Sequence, residues 1–260
     1  LTLFPVLMAM MLLFLLYALT LDNAFAGVHS FLQPRFNSLF SLDVWINSFS
    51  LALLSLGMSF GIMPALARKT DKGFVIENSS IIVIFELLIS IAIGLIVFSV
   101  LGFLSMKQGS GIDNLAFSDS ASAFTILAQA LPFFYKPTLA SVLFFIFLSI
   151  FFIFGTSALA YSISHVFVHK FKTKHRHAAV IVCGFGFLAG LIFIIKPGFY
   201  IMDIVSHFVY YNILIAILLE ILAVGWFFDS EKISNHINQY SIFKIGKIWK
   251  FFVKYIIPLI

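Results

Sequence analysis

From Ser80 to Leu104 the chain reads SIIVIFELLISIAIGLIVFSVLGFL, and a single ionisable side chain, Glu86, interrupts it. A helix of about 20 predominantly apolar residues crosses the hydrocarbon of a bilayer, and this run exceeds that. It does not alternate apolar with polar residues, so it lacks the period of a barrel strand. Comparable continuous runs cover 2–20, 139–167, 178–195 and 200–227, and another begins near Trp249 and continues over 249–260. With 62% of its residues hydrophobic and 10% charged, no soluble domain needs so much apolar surface. The expectation is an all-α, polytopic membrane protein, a single transmembrane domain over 1–260, with the lipid bilayer as its solvent.

The basic residues orient it. Loops 68–79, 168–177 and 228–250 carry Arg68, Lys69, Lys72, Lys170, Lys172, Lys174, Arg176, Lys232, Lys244, Lys247 and Lys250, while the alternate loops carry Arg35, Lys107, Lys136 and Lys196. The positive-inside rule makes the first set cytoplasmic and puts the long loop 105–138 outside. Within that loop AFTILAQALPFF reads as a short helix dipping back toward the membrane; residues 21–42 read as a polar-aromatic loop. The net charge of +5 is then topology and attraction to anionic headgroups, not nucleic-acid binding. The one cysteine, Cys183, excludes a disulfide framework. The chain opens on Leu1 with neither a basic n-region nor a cleavage site, and it stops within FFVKYIIPLI. Both ends read as cut, so a longer protein is expected.

The stretch at 43–67 departs from the rest. It is apolar enough to span, yet its middle is Ser55-Leu56-Gly57-Met58-Ser59-Phe60-Gly61, with Pro64 beyond. Gly and Ser at this density favour a break. In hydrocarbon a break is tolerated where its freed backbone groups face protein, water or a bound solute. Broken near 55–61, the segment offers carbonyl oxygens and helix ends to a ligand. Close packing of a small-residue face against another helix is the alternative.

Glu86 lies inside its span, where a carboxylate is costly and serves as cation ligand or protonatable group, unless it reaches the interface to pair with a base such as Lys72. Ser90 follows one turn later on the same face. Gly155-Thr156-Ser157-Ala158 offers two hydroxyls mid-span, as oxygen ligands for a small cation or as a packing face. His165, His169, His175 and His177 have spacing compatible with a metal or haem but abut a lysine-rich loop, which favours a solvated cytoplasmic end. Asp203 stands at the external mouth and Glu220 deeper in the same span. No phosphate-binding Gly loop and no Ser/His/Asp set is present, so the chain does not read as an enzyme.

With these pieces in order, the chain resembles the neurotransmitter:sodium symporter family, including its bacterial amino-acid transporters. LTLDNAFAGVHSFLQPRF resembles the loop after the family's fifth helix, DVWINSFSLALLSLGMSFGIM its broken sixth, SIAIGLIVFSVLGF the end of its seventh and GTSALA its eighth. The likeness runs from the fifth helix to the start of the eleventh, so the family's N-terminal helices would be partners outside this stretch. It implies a sodium-coupled symporter of the plasma membrane (the inner membrane in bacteria), binding a small amino acid or amine at mid-membrane and working by alternating access.

The resemblance also implies roles. Ser55 falls at a hydroxyl ligand of the first sodium ion, and Gly57, Phe60, Ser59 and Leu54 fall in the substrate-lining segment. Thr156 and Ser157 match the hydroxyl ligands of the second sodium ion and Ile153 its carbonyl ligand, while Ser157 and Tyr161 face substrate. Ser90 aligns with a chloride-binding serine and Asp203 with the acidic outer gate. Four positions depart: Leu51 replaces a usual Gln, Leu54 an aromatic lid, Ser59 a Gly, and Glu86 the sodium-binding Asn. A Glu there adds a negative charge, so Glu86 is expected to bind sodium, to substitute for chloride or the substrate carboxylate as counter-charge, or to exchange protons (H+). The alternative is a membrane scaffold that kept the fold and lost transport.

Overall fold

A computed structural model of the chain describes residues 3–57, 62, 75–112 and 122–259, most of them helical, with no strand among them. The principal helices are α1 (Leu3–Leu19), α2 (Ala24–Leu32), α3 (Leu42–Ser55), α4 (Val75–Gln108), α5 (Ser122–Ala130), α6 (Pro137–Phe171), α7 (His175–Gly190), α8 (Gly198–Leu222), α9 (Ser230–Tyr240) and the short α10 (Lys247–Phe251). Among the described residues four helical segments are long and apolar enough to cross a membrane: Ile76–Gln108, Pro137–Phe171, His175–Ile194 and Tyr200–Phe227. A fifth is counted if Phe4–Leu19 and Ala24–Phe40, bent by 109°, form one span. Large apolar side chains such as Leu13, Phe185 and Phe208 stand exposed, as a bilayer requires and water forbids.

The contacts define two compact units, Leu1–Asn37 with Leu87–Ser157, and Ser38–Glu86 with Ala158–Ile260. In the first unit Ala18, Val100, Leu101, Phe103, Leu104, Ile126 and Ala130 form the core. Residues 21–42, expected as a loop, hold α2 and a 3-10 turn at Phe36–Phe40. Asn23 adopts a left-handed conformation, φ 61°, which turns the chain out of α1, and its side-chain amide donates to the Gly102 carbonyl at 3.1 Å. Gly27 and Gly102 then let α2 and α4 meet backbone to backbone: a Cβ on Gly102 would lie 2.7 Å from both the Asn23 oxygen and the Gly27 nitrogen. Tertiary packing makes this short helix, which is why its mixed sequence did not announce it.

In the second unit α8 packs along α3, with Ser50, Ile213 and Ile217 buried. After α8 a π-turn at Ala223–Phe227 leads to α9, whose N-terminus is capped by the Asp229 carboxylate accepting the Glu231 and Lys232 amides at 3.0 and 3.4 Å. The Trp226 indole donates to the Lys254 carbonyl at 3.0 Å, joining this turn to the last helical segment.

Candidate functional site

In the second unit α3 ends where the sequence breaks its own helix. Ser55 closes the last turn by donating its hydroxyl to the Ala52 carbonyl at 2.9 Å. Gly57 follows in the left-handed region, φ 66°, with its amide on the Leu54 carbonyl at 2.9 Å, the usual way a glycine stops a helix. Leu54 and Gly57 are half-buried there, Ser55 is exposed, and Leu51 is 58% exposed. Ser59 and Phe60 lie outside the described residues. Because α8 packs on α3, Asp203, half-buried near the start of α8, belongs to the same helix pair. One turn beyond Asp203 stands His207, its ring 4.9 Å from that of Tyr211, a titratable neighbour the sequence reading did not single out.

In the first unit the middle of α6 brings three oxygens into one turn. The Thr156 hydroxyl donates to the Phe152 carbonyl at 2.6 Å and approaches the Ile153 carbonyl at 3.3 Å. The Ser157 hydroxyl donates to the Phe154 carbonyl at 2.7 Å. Each hydroxyl has spent its proton on its own helix, so its two lone pairs are left to accept, which is what a hard cation asks of a ligand. Ile153 is 67% exposed, Thr156 and Ser157 are exposed, and a Cβ at Gly155 would meet no atom within 4 Å. Ser90, exposed on α4, belongs to the same unit.

Glu86 is half-buried in α4 and Tyr161 half-buried on α6, both in the second unit. The Tyr161, His165 and His169 rings climb one helix face, with centroids 6.2 and 4.8 Å apart, and His175 comes within 6.0 Å of His165. Among the described residues no three His, Cys, Asp or Glu side chains are placed to hold a metal. The first unit also holds a cavity of about 190 Å³, lined by apolar side chains including Met11, Phe14, Val97 and Phe147. With no polar side chain in its wall it cannot fix a charged amine or carboxylate.

The fold and these residues define a multi-pass helical integral membrane protein with polar groups set at helix breaks and turns. The chain matches the Sodium:neurotransmitter symporter family over residues 1–260, and it belongs to that family, whose members are sodium-coupled transporters rather than enzymes. Among its relatives, an uncharacterized sodium-dependent transporter of Methanocaldococcus jannaschii is 29% identical over 259 residues, covering 98% of this chain and 53% of the relative. The sodium-dependent dopamine transporter of Bos taurus is 26% identical over 251 residues, 94% and 36%. A sodium-dependent nutrient amino acid transporter of Drosophila virilis is 27% identical over 257 residues, 93% and 39%. The chain thus spans about half the length of the archaeal relative and less of the other two.

Proposed function

We propose that this chain is the part of a sodium-coupled symporter that carries an amino acid or related small amine by alternating access. The observation that carries the reading is the α6 turn, where the Thr156 and Ser157 hydroxyls return their protons to the helix and stand exposed beside the Ile153 carbonyl. In this reading that turn of α6, which resembles the family's eighth helix, is this chain's share of one sodium site. The break after Ser55 supplies the hydroxyl of another and, through Leu54, Gly57, Ser59 and Phe60, part of the substrate wall. Tyr161 faces substrate one turn from Ser157, and Asp203 serves as the outer gate. The names of a nutrient amino acid transporter and a dopamine transporter among the relatives support that substrate class. Glu86 favours a second reading of the coupling: a carboxylate half-buried in an apolar span can neutralise a cation in place of chloride at Ser90, or carry a proton.

The test is uptake of an amino-acid and amine panel into proteoliposomes holding the full-length gene product, with and without an inward sodium gradient. Sodium-driven accumulation that falls at least tenfold in Thr156→Ala, Ser157→Ala is expected. Glu86→Gln separates the coupling schemes, for it should change the ion or pH dependence; unaltered dependence removes Glu86 from coupling. Well-folded parent protein that accumulates none of the panel overturns the symporter reading and favours the scaffold.

A further inference from the structure

α4 has 34 residues, so it is about 50 Å long, well beyond a hydrocarbon core of about 30 Å. Its first turn, Val75 to Ser79, stands ahead of the apolar run on the side that the basic loops make cytoplasmic. That turn is fastened to a segment 165 residues away. The Glu77 Oε1 atom accepts the backbone amides of both Ile242 and Phe243, at 2.6 and 2.8 Å. In return the Ser241 hydroxyl accepts the Ile76 amide at 3.3 Å, one of the four donors that the start of a helix leaves unpaired. The 241–245 segment is itself braced from α9 by Asn238, whose amide nitrogen donates to the Ile245 carbonyl at 2.9 Å while its oxygen accepts the Ile245 amide at 2.8 Å. The contact is a reciprocal clasp, each partner capping the other's orphan amides.

Three features make it more than an ordinary cap. The bonds to Oε1 are charge-assisted, the stronger kind. Oε2 is buried, with no hydrogen-bond partner among the described residues, so the carboxylate makes its contacts to this turn through Oε1. And α4 continues without a break from Glu77 to Glu86, so whatever fixes the first fixes the second, nine residues and roughly 13 Å further along the axis.

We propose that Glu77 is a positioning residue for Glu86, in the second reading above the carboxylate that neutralises the coupling cation: the Glu77 carboxylate clasps the Ser241–Phe243 turn and so sets the height of Glu86 along the α4 axis. The inference rests on that functional reading for its second half and on geometry alone for its first. The experiment is hydrogen exchange of the full-length gene product in lipid nanodiscs, read at the 242 and 243 amides and, over a sodium titration, across residues 81–90. Glu77→Ala should speed exchange at 242 and 243 at least tenfold and raise the sodium concentration that half-protects 81–90 at least threefold. Glu77→Gln keeps an acceptor oxygen without the charge, and should fall between parent and Ala on both readouts. Should the Ala variant fail to fold, Gln and Ser241→Ala carry the test.

Parent-like exchange at 242 and 243 in the variants overturns the clasp. Faster exchange there with an unshifted sodium titration overturns the positioning role and leaves a brace for the turn. Sodium-driven uptake by a parent whose 81–90 segment shows no sodium protection overturns this inference alone, whereas sodium affecting neither overturns the reading beneath it.

Discussion

Two places in the first unit are built from the same small and polar residue types and end in opposite conditions. Where α2 crosses α4, Asn23 spends its side-chain amide on the carbonyl of Gly102, and Gly27 and Gly102 admit a neighbouring backbone closer than any Cβ allows. At the Gly155-Thr156-Ser157 turn of α6, both hydroxyls spend their protons on their own helix, and Gly155 has open space where a side chain would go. Small residues in a membrane helix serve close packing, but they also clear a path to backbone and hydroxyl oxygens. The partner of the donor separates the two uses: a polar group bonded across to another helix locks a contact, while one bonded back to its own helix leaves a surface that can accept. The Glu77–Ser241 clasp belongs with the first kind.

The largest effect should come from closing the glycine crossing. Gly102→Val puts branched carbon against the backbone of Asn23 and Gly27, with nothing flexible to yield. Overpacking of this sort costs about 3 kcal/mol, and the expected outcome is loss of monodisperse protein or a sharply lowered thermal midpoint in detergent. A Gly102→Val variant that melts with its parent would mean the two helices do not meet as described, and the contrast with α6 would lose one side.

The clasp sharpens the comparison through pH. Partial burial pushes the Glu77 carboxyl up, but the amides of Phe243, Glu77 itself and Ile242 outweigh it and hold its pKa below the ordinary value of 4.5. A carboxyl with a depressed folded pKa contributes stability that is fully present above its unfolded pKa and lost as pH falls through the folded one. Exchange at the 242 and 243 amides, corrected for the intrinsic pH dependence, should therefore be level from pH 7 to 5 and rise only below about 4.5. A rise between 7 and 5 would show that the amides do not hold the charge.

The sequence made the helical architecture legible because length and continuous apolarity leave a bilayer-spanning segment few alternatives. Its Gly57 takes φ 66° without strain, as a residue with no Cβ can. The sequence did not announce α2, whose nine residues are too few to make a stable helix alone and are held by the contact with Phe98 and Gly102. Nor did it announce the clasp. An acidic residue in a first helical turn is a local signal for a helix start, but nothing local says that its amides come from Ile242 and Phe243. For the α6 turn the residue types were plain, while which way each hydroxyl donates is a matter of geometry that spacing does not encode.

The smallest effect is the one that tests the contrast most directly, because it uses one substitution twice. Gly155→Ala adds a methyl group where nothing stands within 4 Å and replaces a glycine inside a helix by the best helix former, a change worth up to about 1 kcal/mol in favour of the helix. The thermal midpoint should hold or rise slightly. Gly102→Ala adds the same methyl group 2.7 Å from backbone atoms, and its midpoint should fall. If both variants fall together, Gly155 is a packing residue in the full-length protein and the exposed oxygens beside it lose their claim to a cation. If Gly155→Ala melts like its parent while sodium-driven uptake drops, the methyl group is crowding a ligand rather than a helix, and the two uses of glycine in this unit are separated by experiment.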